Sequence, residues 1–158
     1  MDWPTILLNS SWAGLFAAGL GVLLTAPSRY LARNLLCGFV GRGTRDICMG
    51  WSLGQHWSTM IAAAVVVMVA VAVSRRHTVA PVVLICGVLP LGAAVAMFNL
   101  ILGLMRVSAA TGEALTRASV VLTASLGTVF TTSLAIAIGL GAGISVVEFL
   151  RRDEGVAV

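Results

Sequence analysis

Charge is what this sequence has least of. Only 10% of its 158 residues are charged, less than half of the roughly 25% usual in a soluble domain. Such a chain lacks the polar surface that would keep it in water as a monomer, so lipid must cover it. Lysine is missing altogether: the ten basic residues are all arginine. They stand singly or in pairs between apolar runs and gather on no one face, which argues against nucleic acid as a partner. Arginines that border apolar runs instead suit cytoplasmic loops and anionic headgroups. Cysteine is scarce. Cys37, Cys48 and Cys86 are odd in number, no pair has metal-ligand spacing, and all three read as small buried hydrophobes. A Ser/His/Asp set, a carboxylate pair, a Cys/His cluster and a phosphate loop are all missing. Neither enzyme chemistry nor a metal or cofactor is therefore expected. The opening Met1-Asp2-Trp3-Pro4 lacks a basic n-region, and no cleaved signal peptide is expected.

What the chain has in abundance is apolar sequence, 59% of its residues, with mean hydropathy +1.02. A membrane helix uses roughly 20 residues, so the length admits four to six spans joined by short loops. Four runs are plain: Ile6 to Ala26, ended by Pro27; Trp57 to Val73, stopped by Arg75-Arg76-His77; Val79 to Met105, with Pro90 inside it; and Ala118 to Val147, closed by Arg151-Arg152. The expected fold is an all-α polytopic membrane bundle. Residues 1–150 form a single transmembrane domain, and residues 151–158 a short, frayed cytoplasmic tail.

Leu31 to Gln55 is ambiguous. Hydropathy alone makes it a loop or half-span; the excess of arginine on the cytoplasmic side arbitrates. As a loop it leaves six arginines on one side and four on the other. As a span it leaves Arg29, Arg33, Arg75, Arg76, Arg151 and Arg152 on one side against Arg106 and Arg117 on the other. The second bias is the stronger, so five spans are expected, with the N-terminus outside and the C-terminus in the cytoplasm. Four spans plus a re-entrant or interfacial segment is the alternative.

A second span places Gly41-Arg42-Gly43-Thr44-Arg45-Asp46 inside the membrane. A charge at the centre of a span costs about 2.5–3.5 kcal/mol on insertion scales. Arg42 and Arg45 are spaced i,i+3 and Arg42 and Asp46 i,i+4, so the three share a helix face. That face can hold one Arg–Asp pair and leave a guanidinium free to grip a carboxylate bidentately. Gly38, Gly41 and Gly43 are expected to loosen the helix there, as in the broken helices of transporters. The competing reading is a loop whose arginines touch lipid phosphate.

Pro90 frees a backbone carbonyl that a neighbour must satisfy or that must line a cavity. Asn99 follows on the same run, as helix–helix glue or as part of that cavity. Thr123, Gly127 and Thr131 form a small hydroxylated stripe, suited to tight packing or to a polar wall. Gly139-x-Gly141-x-Gly143, and Gly50 with Gly54, carry the GxxxG spacing of close helix contacts. Glu113 and Glu148 read as solvated charges, and His56 and His77 as interfacial residues.

Gly41-x-Gly43-Thr44-Arg45, an apolar stretch, and then Trp57-Ser58-Thr59 resemble the small-subunit half of the threonine/serine exporter family. The order of apolar runs, the proline-bearing Val79 to Met105 run, fourth of the five expected spans, and the basic tail extend the resemblance over nearly the whole chain. The chain departs from the family pattern in the fourth run: only Pro90 remains of a Pro-x-x-Pro-Gly, Ala93 and Ala94 replace the Pro-Gly, and Phe98 takes a tyrosine's place. His56 stands where an acidic residue can occur. The resemblance implies export of threonine and serine, or of a small dicarboxylate, across a bacterial inner membrane. It also implies a larger membrane subunit as partner, further copies of the chain, or both. The residues expected to bind substrate are Arg45 first, then Arg42, Asp46, Asn99 and Thr131, with Gly41, Gly43 and Pro90 shaping the cavity. A scaffolding membrane subunit without a path of its own is the alternative.

Overall fold

The computed structural model describes residues 3–74, 81–91 and 93–153. The Arg75-Arg76-His77 stop and the last five residues of the tail lie outside them. Every element among the described residues is helical: α1 Trp3–Leu23, α2 Ser28–Gly50, α3 Gln55–Val73, α4 Pro81–Val88, a 3-10 turn at Leu89–Leu91, α5 Ala93–Ala109 and α6 Glu113–Asp153. α1, α3 and α6 are each long and apolar enough to cross a membrane, and α4 with α5 makes a fourth candidate if the bent pair counts as one span. The molecule is an all-α polytopic bundle.

Helix ends differ from the sequence expectation in instructive ways. α1 stops at Leu23, before Pro27. Thr25 takes a left-handed φ of 53°, Ala26 N–H bonds to Gly21 O at 2.9 Å and Thr25 N–H to Val22 O at 3.0 Å. These two bonds satisfy carbonyls that the helix end leaves orphaned. Pro27, with φ −53°, instead opens α2, where its missing N–H costs nothing. The same device ends α2. Ser52 has φ 61°, Leu53 N–H reaches Cys48 O and Ser52 N–H reaches Met49 O. The chain therefore reverses within four residues. α6 runs past the expected Val147 boundary, through Arg151 and Arg152 to Asp153, so the first part of the expected frayed tail is helix.

α2 is the element that hydropathy alone leaves undecided. It is a continuous 23-residue helix, about 35 Å long at 1.5 Å per residue, against a hydrocarbon core of about 30 Å. Gly38, Gly41 and Gly43 do not loosen it. They are sites of close approach. A Cβ at Gly38 would lie 2.6 Å from Ala17 Cβ, one at Gly41 2.6 Å from Val66 Cγ2, and one at Gly43 3.2 Å from Ser10 Oγ. α2 thus packs on α1, α3 and α4, and its polar residues meet protein where a lipid-facing helix would meet hydrocarbon.

Register gives each helix a direction. Gly21 faces Leu31 and Asn34, whereas Gly14 faces Leu35 and Phe39, so α1 and α2 are antiparallel. Gly87 faces Cys37 while Leu91 reaches Gly41, so α4 runs parallel to α2. Gly139 meets Met60 and Ala63, and Gly143 meets Ala64 and Val67, so α6 runs parallel to α3. α2 therefore runs along the bundle, antiparallel to α1 and parallel to α4. At one end Trp3, Trp51 and Trp57 are exposed, as in an interfacial aromatic belt. At the other, Arg29 and Arg33 lie 5.0 and 5.4 Å from the Tyr30 ring centroid, within cation–π range.

α2 is unbroken, and the break is the one expected at Pro90. Pro90 sits in the 3-10 turn, and the segments on either side, Pro81–Leu91 and Ala96–Ala109, meet at 58°. The bend carries α5 away from α2 and onto α6. Cys37, Ala62, Val66, Val83 and Leu91 fill the core between α2, α3 and α4. Cys37, Cys48 and Cys86 are all buried and free.

Candidate functional site

Among the described residues, three buried side chains carry polar atoms without a hydrogen-bond partner: Asn34, at both amide atoms; Arg45, at Nε; and Thr132, at Oγ1. Native interiors rarely leave such groups unpaired, so each asks for a reason.

Arg45 is the costliest of them. It lies five residues before the end of α2, about 8 Å inside it, and is only 7% exposed. Its place follows from periodicity: Cys37, Gly41, Arg45 and Cys48 are the buried stripe of α2, and Gly41 meets Val66 of α3 and Leu91 of the 3-10 turn. Arg45 is one helical turn further along that stripe. Arg42 and Asp46 take up each other, Arg42 Nε donating to Asp46 Oδ2 at 3.2 Å. Within this cluster the charge left over is therefore Arg45's, and of the arginines on α2 it is the buried one.

Across the tight α2–α3 turn stand Ser58 and Thr59, both fully buried in the first turn of α3. Ser58 Oγ donates to Gly54 O at 3.1 Å and Thr59 Oγ1 to Gln55 O at 2.8 Å. Each hydroxyl keeps its acceptor lone pairs for another donor. Thr132 joins the same level. On α6 the buried face is Thr132, Ala135, Gly139 and Gly143, and extending the α3–α6 register by two turns sets Thr132 beside the start of α3. Arg45 on α2, Ser58 and Thr59 on α3 and Thr132 on α6 thus all lie toward the tryptophan end of the bundle, Thr132 on the face of α6 that meets α3. The broken fourth run ends its turn at Leu91, beside Gly41.

The expected residues fall into two groups. Arg45, Arg42, Asp46, Gly41, Gly43 and Pro90 lie on α2 or at the break against it. Asn99 and Thr131 do not join them. Asn99 is exposed on α5, along its seam with α6. Thr131 is exposed, with its hydroxyl bonded to Gly127 O at 2.8 Å, and a Cβ at Gly127 would touch nothing within 4 Å. The Thr123–Gly127–Thr131 stripe thus packs on nothing among the described residues. Gly50 and Gly54 form no contact pair either, because α2 ends between them. Sequence reasoning missed Asn34 and Thr132. Asn34 was visible as a polar residue in phase with Gly38, Gly41 and Arg45, whereas the choice between Thr131 and Thr132 depends on which face of α6 meets α3.

His56, Glu113 and Glu148 are exposed, and His77 lies outside the described residues. No group of three or more His, Cys, Asp or Glu able to hold a metal occurs among the described residues. No curated protein and no solved structure shows a significant match to the chain. The family model described as Threonine/Serine exporter, ThrE, matches residues 9–150, a stretch that holds Arg45, Ser58, Thr59 and Thr132, and the chain belongs to the threonine/serine exporter family.

Proposed function

We propose that the chain is a subunit of a secondary transporter that exports threonine and serine, or small carboxylates, across a bacterial inner membrane. The observation that carries this reading is the buried Arg45, whose Nε lacks a hydrogen-bond partner, near the end of α2 from which the chain turns into α3 with its buried Ser58 and Thr59. A guanidinium there binds a substrate carboxylate by its planar fork. The hydroxyls serve the polar remainder of the substrate, and Asp46, paired with Arg42, balances charge. Pro90 breaks the fourth run at a 3-10 turn packed against α2, and so shapes the path there. A larger membrane subunit of the same family completes the path.

The test is efflux. Cells loaded with labelled threonine, serine or succinate, and expressing the chain with such a larger subunit, are expected to lose at least one label faster than cells expressing the larger subunit alone. A scaffold without a path predicts that the chain changes only the amount of the larger subunit in the membrane, at unchanged efflux per copy.

The same reading sets α2 across the membrane, with five crossings, the N-terminus outside and the C-terminus in the cytoplasm. In a background without Cys37, Cys48 and Cys86, a cysteine at Gln55 should react with an impermeant maleimide in intact cells. One at Ser28 should react only once the cells are opened. Labelling of Ser28 from outside with Gln55 protected would reverse the orientation, and protection of both would return α2 to one side of the membrane.

A further inference from the structure

Two cavities open along the α5–α6 seam, outside the packing of α1 to α4. The larger, about 440 Å³, has Arg106 on one wall and Arg117 on the other, with Gly103, Ala114 and Ala118 between them. The second, about 280 Å³, continues it through the shared Val121 to Asn99, Ser125 and Thr128. Both sizes are near or within the range of small-ligand sites. The groove exists because small residues line the seam: α5 and α6 are antiparallel, with Gly103 against Leu122, and alanines leave the volume unfilled.

Its chemistry is divided lengthwise. Two guanidiniums stand at one end, near the α5–α6 connection, and neither is in an ion pair: among the described residues the one ion pair is Arg42 with Asp46. Glu113, one turn before Arg117 on α6, neutralises neither. Apart from these arginines the larger cavity is walled by apolar residues, and Asn99, Ser125 and Thr128 return only in the second. From Arg106 down to Ala96 the groove follows ten residues of α5, about 15 Å at 1.5 Å per residue. That is half of a hydrocarbon core of about 30 Å, the depth of one leaflet. The outer flank of α5 exposes Met97, Phe98, Ile101, Leu104 and Met105, a surface that lipid wets.

We propose that this groove is a binding site for one anionic phospholipid. Its phosphodiester sits between Arg106 and Arg117, and one acyl chain lies along Gly103, Ala118 and Val121. Charge complementarity and depth select this occupant. A neutral lipid leaves two cations without an anion, and a free phosphate leaves the apolar floor uncovered.

The experiment is native mass spectrometry of the full chain released from nanodiscs of equimolar phosphatidylglycerol and phosphatidylcholine. Wild-type protein is expected to retain one phosphatidylglycerol in preference to phosphatidylcholine. Neutralising both arginines (R106Q/R117Q) should weaken that retention roughly thirtyfold, two charges at about 1 kcal/mol each. Ala118→Leu, which fills the groove and keeps both charges, should weaken it as well. R29Q/R33Q, at the other end of the bundle, should leave it unchanged. Retention without headgroup preference, an equal loss in R29Q/R33Q, or undiminished retention in Ala118→Leu would each overturn the proposal. So would a lipid-free dimer that Ala118→Leu dissociates, which would make the groove a seat for a second copy.

Discussion

Replacing Arg45 by alanine is expected to lower efflux roughly a hundredfold while the amount of protein in the membrane stays the same. The magnitude follows from the chemistry. Hydrogen bonds to charged groups contribute about 1.5–3 kcal/mol each, and 1.4 kcal/mol is a factor of ten. The neutral effect on accumulation follows from burial. Arg45 is 7% exposed and its Nε has no partner in the chain, so truncating it removes a desolvated charge and breaks no internal bond seen at that atom. Arg45→Lys keeps the charge but loses the planar fork, and a loss of roughly tenfold is expected, set by one charge-assisted bond. Arg42→Gln should act differently. It releases Asp46 from a partly exposed ion pair, an interaction worth about 0–1 kcal/mol, and leaves Arg45 in place. If Arg45→Ala exports at the wild-type rate, the buried guanidinium is structural and the carboxylate site lies elsewhere. If the variant fails to accumulate, Arg45→Lys carries the test, since it retains the charge and most of the volume.

The second large effect concerns packing. Gly139→Ala is expected to destabilise the bundle by about 2–3 kcal/mol, at the upper end of overpacking costs. An added Cβ there would collide with the Met60 carbonyl oxygen and lie 2.8 Å from Ala63 Cβ. A backbone carbonyl inside α3 has nowhere to move, so α6 must separate from α3. Gly141→Ala, two residues on, meets nothing within 4 Å. It should be neutral or stabilising by up to about 1 kcal/mol, because alanine is the better helix former. Unfolding of the purified proteins by a denaturing detergent, followed by circular dichroism, distinguishes the two. Equal midpoints for both variants would show that the α3–α6 contact does not form as described. Gly143→Ala should follow Gly139, since its Cβ would lie 2.9 Å from Val67 Cβ and 3.0 Å from Ala64 O.

These two glycine neighbours show where sequence reading stops. Gly139, Gly141 and Gly143 are equivalent as letters, and a GxxxG spacing marks candidates without naming the helix that meets them. Only the rotation of α6 about its own axis, set by its contact with α3, divides them into contact and free positions. The same rotation buries Thr132 and exposes Thr131. The Pro90 break was legible, because proline removes a donor wherever it stands in a helix; the 58° bend was not, and it is the bend that takes Asn99 away from Arg45. In α2 the glycines that suggested a weak helix serve close approach, to Ala17 from Gly38 and to Val66 from Gly41. Such a role is invisible until the neighbours are known.

The sequence by itself determined that the protein lives in lipid, that it is all-helical, where most of its helices run, and that Arg42 and Asp46 are spaced to pair. Those properties depend on local composition and on spacings within one helix, which the chain carries wherever it goes. The tertiary structure decided that α2, too polar for a lipid-facing span, is a full-length helix. It also decided that Arg45 is the buried arginine among the described ones and that Ser58, Thr59 and Thr132 lie toward the same end of the bundle. The physical reason is the same in each case: the free energy of a polar group in a membrane depends on what covers it, and what covers α2 is α1, α3 and α4.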